Sequence, residues 1–262
     1  MSDSVFRLRP MNNKTIDELN TPYLWFSRSS SFNDPNDANI KAFIENSSIV
    51  KDALKRHLTE QSYNKFIELM NCTGICCFTK ALPSVKSRLD FPKGFNSICI
   101  EYDKEILEDF FLKSKFAINN CFTDVLYCKN PLKLNDEGDY HILSSIEYLD
   151  SSDPEETDTV KQNCLYESLL SLTRNEKDLE HLIILLLSRI CCKFHRQHEL
   201  RIILGGRNIP DFNPNIRGYQ VVIPPEAILK VHLYGQSKKC RIFREKLKES
   251  PIYEKIHIMK NK

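Results

Sequence analysis

Glycine is scarce in this chain, with seven residues among 262. No glycine-rich loop is available to cradle phosphates through backbone N–H groups. The ten cysteines contain no C-x-x-C pair, and no Cys/His set has zinc-finger spacing. That argues against a structural metal and against a disulfide framework. Neither sign of charge dominates. The 37 basic and 35 acidic residues leave a net charge of +2, no basis for a nucleic-acid partner. Long apolar runs are missing as well. The longest, residues 182–187, falls far short of the ~20 residues that span a bilayer. The N-terminus carries no apolar stretch of the signal type. The expectation is a cytoplasmic protein without a membrane partner, whose cysteines are reduced and act as small apolar residues.

A hydrophobic content of 41% and an aromatic content of 10% are ordinary for a chain with a real core. The length permits one large domain. The acidic, turn-rich run DSSDPEETD at residues 150–158 reads as the approach to a helix, so residues 1–262 are expected to form a single domain. Apolar alternation and short apolar runs predict strands near residues 4–8, 23–27, 74–79, 95–102, 122–129, 201–204, 218–223, 227–233 and 252–258. Helical periodicity predicts helices near residues 15–20, with Thr15 as cap, and 42–71, with a break near Ser62. Others are expected near 104–113, 160–173, 176–192 and 239–249. Strands and helices do not alternate regularly. The pattern fits an α+β fold, a central, mostly antiparallel sheet flanked by helices.

The densest polar cluster is CCKFHRQHELRIILGG, residues 191–206. If it runs as a strand, Gln197, Glu199 and Arg201 share one face, and His198, Leu200 and Ile202 share the other. In the first strand Arg7 and Arg9 lie opposite Phe6 and Leu8. Each polar set faces away from its apolar neighbours, so Arg7 and Glu199 are expected to line one cleft, with Asn33 or Asp37 at its rim. Asn33 and Asp34 precede Pro35 and suit an Asx-turn, whereas Asp37 has no turn duty. His195 and His198 lack a third ligand nearby, which favours ordinary hydrogen-bonded histidines over a metal site. The basic stretch KKCRIFREKLK reads as a solvated helix face.

Five segments in order carry a resemblance: FRLR; LWFS followed by SFNDPND; CFT followed by KGFNSICIEYD; KFHRQHELRI; and VVIPP followed by VHLYG. Together they resemble the bacterial and phage-encoded family called Domain of Unknown Function 2971, over residues 5–235. Two features depart from it. The family's Trp-x-x-Tyr block and His are missing from residues 84–92, SVKSRLDFP, and Gln197 stands where the family has the first Glu of Glu-x-Glu-x-Arg. The chain is also similar to ADP-ribosyltransferases, including the DNA-modifying toxin type, through Arg7, Ser27 and Gln197-x-Glu199 in that order.

The second similarity implies an NAD-consuming enzyme of the ADP-ribosyltransferase-like fold, a toxin or effector in phage–bacterium conflict. In that reading NAD is the cofactor consumed, and the acceptor, protein or nucleic acid, is undetermined. Glu199 is the catalytic anion for an oxocarbenium-like centre, and Gln197 orients the acceptor. Arg7 and Arg9 grip phosphates of the dinucleotide, with Ser27, Asn33, Asp37 and Arg201 as further cofactor contacts. Against it stands a structural ion pair of Glu199 with Arg201 or Arg7. Two other classes remain open: a non-enzymatic binding or sensor module, and a metal-dependent nuclease using Asp34, Asp37 and Glu199.

Overall fold

Alternation sets the strands. In the stretch Ser97–Asp103, Ile98, Ile100 and Tyr102 point to one face and are fully buried, while Glu101 points to the other. The computed structural model describes residues 3–32, 37–38, 45, 55, 58–83, 97–113, 122–128, 183–184, 186–205, 217–234 and 237–259. Its strands are β1 (Ser4–Pro10), β2 (Tyr23–Arg28), β3 (Gly74–Thr79), β4 (Ser97–Asp103), β5 (Thr123–Asp124), β6 (Leu126–Cys128), β7 (Arg189–Cys191), β8 (Glu199–Leu204), β9 (Gly218–Val222), β10 (Ile228–Tyr234) and β11 (Ile256–Met259). Its helices are α1 (Asn13–Asn20), α2 (Glu60–Cys72), α3 (Lys104–Lys113) and α4 (Lys238–Lys246).

Among the described residues, nine strands form one sheet, in the order β11-β10-β4-β1-β3-β2-β9, with β8 added to β3 and β5 to β8. Among its described strands only β10 and β11 pair in parallel. A separate parallel pair, β6 and β7, lies beside it. The α+β class, with a mixed and mostly antiparallel sheet, is therefore as expected. One face of the sheet carries the main core. Val5, Leu24, Phe26, Phe78, Ile100 and Ile202 pack there with Leu19 of α1, Phe111 of α3 and Phe243 of α4. The opposite face carries Phe6, Trp25, Ser27, Cys77, Thr79, Glu199 and Arg201, as strand register requires. Among the described residues, no helix is long and apolar enough to cross a membrane.

Several boundaries differ from the sequence expectation, each through a specific contact. Asn12, not Thr15, caps α1: its side chain accepts from the Thr15 N–H at 3.0 Å, and the Thr15 hydroxyl donates to Pro10 O at 2.7 Å. The break expected near Ser62 falls at Leu58 and Thr59, immediately before α2 begins at Glu60. The helix expected to reach residue 192 stops earlier, because Arg189–Cys191 pairs with β6 and Cys192–Gln197 forms a 3-10 turn. The strand expected at residues 122–129 is interrupted at Val125, whose N–H donates to Glu199 O at 3.3 Å. The strand expected from residue 252 begins only at Ile256, after the 3-10 turn Tyr253–Lys255. The helix expected at residues 160–173 lies outside the described residues.

The β2–β9 ladder carries a test of this register. A Cβ at Gly218 would lie 2.3 Å from Phe26 O and 2.9 Å from the Trp25 indole. The carbonyl is backbone and cannot rotate away. Gly218→Ala should therefore destabilise the fold by ~1–3 kcal/mol and shift the emission of Trp25, the only tryptophan. Urea unfolding followed by that emission measures both. An unchanged midpoint would contradict the register of β9.

Candidate functional site

The site arises where one edge of β3 is shared. Gly74 and Ile75 pair with β2, Thr79 pairs with β1, and Cys76, Cys77 and Phe78 lie between. β1 and β2 diverge there, and a cavity of about 220 Å³ fills the split. Phe6, Trp25 and Phe32 supply aromatic wall, and Ser27, Thr79 and Glu199 supply polar groups. Arg7 and Phe78, from the core side of the sheet, also line it. The Arg7 guanidinium sits 5.6 Å from the centroid of the Phe78 ring. Consecutive residues of β1 (Phe6, Arg7, Leu8) and of β3 (Cys77, Phe78, Thr79) border it, so residues from both faces contribute to its lining.

Arg7 is tied down by two partners, Trp25 O and Glu18. Its Nη2 donates to Trp25 O at 3.2 Å, which joins β1 to β2 across the split. Its Nη1 donates to Glu18 Oε1 at 3.4 Å, and Arg9 Nε donates to Glu18 Oε2 at 2.6 Å. Glu18 comes from α1 and is fully buried. Burial works against the Arg7 charge, but its surroundings, with the Glu18 carboxylate as ion-pair partner, raise the guanidinium pKa above its usual value. The Cys76 thiol is pushed up to about 11, first by burial, so it stays protonated beside this pair.

Glu199 opens β8. The residue before it, His198, adopts a left-handed conformation (φ 45°, ψ 49°), and its carbonyl accepts from the Lys80 N–H at 3.0 Å. This reversal turns the chain from the 3-10 turn into the strand. The Glu199 N–H donates to the Tyr127 hydroxyl oxygen at 2.6 Å. Glu199 Oε1 accepts from Arg201 Nε at 2.6 Å. Arg201 is fully buried, and it also donates to Asp37 Oδ1 at 2.8 Å and to Leu187 O at 2.6 Å. Burial disfavours its charge, but Glu199 and Asp37 hold its pKa well above the usual value. Cys77, opposite Arg201 in the ladder, is pushed well up by burial, then by the Glu199 charge and a thiol hydrogen bond to it. A thiol so placed is a hydrogen-bond donor rather than a nucleophile.

Of the residues singled out from the sequence, Arg7, Ser27 and Glu199 line the cavity. The others do not. Gln197 lies in the 3-10 turn, buried and off the strand, because His198 breaks the alternation that would have aligned it with Glu199. Arg9 lies outside the cavity lining, held by Glu18. Asp37 and Arg201 sit behind Glu199 as an ion-pair chain rather than against the cavity space. Arg7 faces the core side of the sheet, opposite to Glu199, where Glu18 supplies its anion. Asn33 and Asp34 lie outside the described residues. Sequence reasoning missed Glu18, Cys77 and Tyr127. Glu18 sits three residues after Thr15, on the helix turn that faces the strand, and that spacing was the available signal. No family model, curated protein or solved structure matches this chain.

The Asp37–Arg201–Glu199 chain makes a quantitative prediction. Either carboxylate alone can still balance Arg201, so Asp37→Asn and Glu199→Gln should each leave a folded protein. Removing both strands a fully buried charge, a loss of ~3–5 kcal/mol. Chemical denaturation of the two single variants and the double variant should show a coupling of ~0.5–3 kcal/mol. Simple additivity would contradict the shared role of Arg201.

Proposed function

We propose that this chain is an NAD-consuming enzyme of the ADP-ribosyltransferase-like type, acting as a toxin or effector in phage–bacterium conflict. The observation that carries the reading is the meeting of Arg7, Ser27 and Glu199, from three separate strands, on one aromatic-walled cavity. At about 220 Å³ the cavity is smaller than the ~300–1,000 Å³ of pockets that enclose a whole drug-sized ligand. It suits the nicotinamide end of the substrate, with the ring against Trp25 and Phe32 and the Ser27 hydroxyl as a polar contact.

Glu199 then faces the ribose carbon from which nicotinamide departs. The C1′–N bond breaks, and its electron pair passes to the pyridinium nitrogen, which becomes neutral. The acceptor forms the new bond at C1′ and gives up its proton. The carboxylate stabilises the positive charge that develops at C1′ between those events. Arg201 fixes the carboxylate through Oε1. Arg7, engaged with Glu18 and Trp25 O, shapes the floor rather than gripping phosphate. Nothing in this scheme needs a metal. The nuclease reading is weakened because Asp37 and Glu199 both hold Arg201. The Glu199–Arg201 ion pair is also what a binding module would use as scaffolding, so the test must separate the two.

Incubation with NAD in the presence of a chelator should release nicotinamide, followed by chromatography. Glu199→Gln should keep the fold and lower that release by ~10²–10³-fold. Wild-type protein that binds NAD without releasing nicotinamide would favour the binding module. Cleavage of DNA or RNA only with magnesium or manganese would favour the nuclease.

A further inference from the structure

On the same face of the sheet, toward its β11 edge, two histidines meet, and the inner ring, His232, lies 6.4 Å from the cavity-wall ring of Phe6. β10 and β11 pair in parallel, and His232 lies directly across from His257. Paired residues of parallel strands share a face, and the two ring centroids are 6.2 Å apart with a 38° tilt. His232 is buried, whereas His257 is exposed. His232 Nε2 lies 2.7 Å from Glu101 Oε2, and the other oxygen of Glu101 accepts from Ser4 Oγ at 3.1 Å. A carboxylate on one ring nitrogen places the proton there and leaves the lone pair on the other. That other nitrogen, Nδ1, is buried and has no hydrogen-bond partner among the described residues. An orphaned buried acceptor is uncommon in folded proteins and calls for a ligand.

We propose that His232 and His257 form an open site for a divalent transition ion of the zinc class, which pins the terminal strand β11 to the sheet. Carboxylate, imidazole and metal in line is the usual order at such centres. Imidazole donors select zinc, nickel or copper over magnesium and calcium. Metal–nitrogen bonds of ~2.0–2.1 Å fit an ion between the rings once the exposed His257 turns toward it. Among the described residues no group of three or more His, Cys, Asp or Glu has a metal-holding arrangement. Water therefore completes the shell, and the ion exchanges. Among the described residues Lys230 is the cation beside Glu101; it is half-exposed with its Nζ 4.0 Å from Oε2, free to swing to solvent.

The inference stands apart from the NAD reading, and its test uses tag-free full-length chain titrated calorimetrically with zinc chloride. Wild type should show one binding event and a higher melting temperature with zinc. His257→Gln, an exposed change that leaves the fold intact, should weaken that event at least tenfold and remove the melting shift. Glu101→Gln should weaken it ~10–100-fold, the usual effect of losing a ligand's carboxylate partner. Magnesium chloride should produce neither effect. No zinc uptake by wild type would overturn the proposal. Superimposable isotherms for wild type and His257→Gln would overturn it as well, assigning uptake to thiols such as the exposed Cys192.

Discussion

A strand edge can hydrogen-bond to one neighbour at a time, and two strands share one edge of β3. β2 takes its start and β1 takes its end, so the middle of β3 faces a gap. The cavity follows from that division. So does the dependence of the region on Arg7, whose bond to Trp25 O is a side-chain link between two strands that no longer pair with each other. The carboxylate of Glu18 makes that link tolerable in the interior, since an unpaired guanidinium there would be prohibitively unfavourable. Helix α1 therefore does more than cover the sheet. It delivers the anion that permits a split.

The same logic repeats across the cavity with the signs exchanged. On the core side one carboxylate serves two arginines, Arg7 and Arg9. On the other side one arginine, Arg201, serves two carboxylates, Asp37 and Glu199. Each charge at the site is balanced and anchored by a neighbour behind it. Among the carboxylates described, Glu199 combines an anchored charge with a place on the cavity wall. A carboxylate held in advance of the reaction needs no reorganisation when positive charge develops.

The class of the fold was legible because alternation in stretches such as residues 97–103 and 199–204 is strong and local. The meeting of Arg7 with Glu199 was legible as a polar anomaly in two apolar strands, but the geometry behind it was not. Alternation placed Arg7 and Arg9 opposite Phe6 and Leu8 correctly, yet could not say which set faced the core. That choice was made by Glu18, a tertiary partner from another element. Gln197 looked aligned with Glu199 because the strand was assumed to start earlier. A single residue with positive φ, His198, ended that alignment, and backbone sign changes at non-glycine positions leave little trace in sequence. Asp37 looked like a site residue for a sound reason, the lack of any turn duty. Its duty is the buried Arg201, 164 residues away.

The central claim is that the split in the sheet is a binding site for the nicotinamide end of NAD, and Trp25 reports on it directly. Trp25 lines the cavity and is the only tryptophan in the chain. Its emission during titration with NAD should change saturably, and nicotinamide should compete for the change. Ser27→Leu fills the cavity from the same face and should abolish the response while the protein remains folded. An emission unaffected by NAD, or a response that survives Ser27→Leu unchanged, would contradict the account.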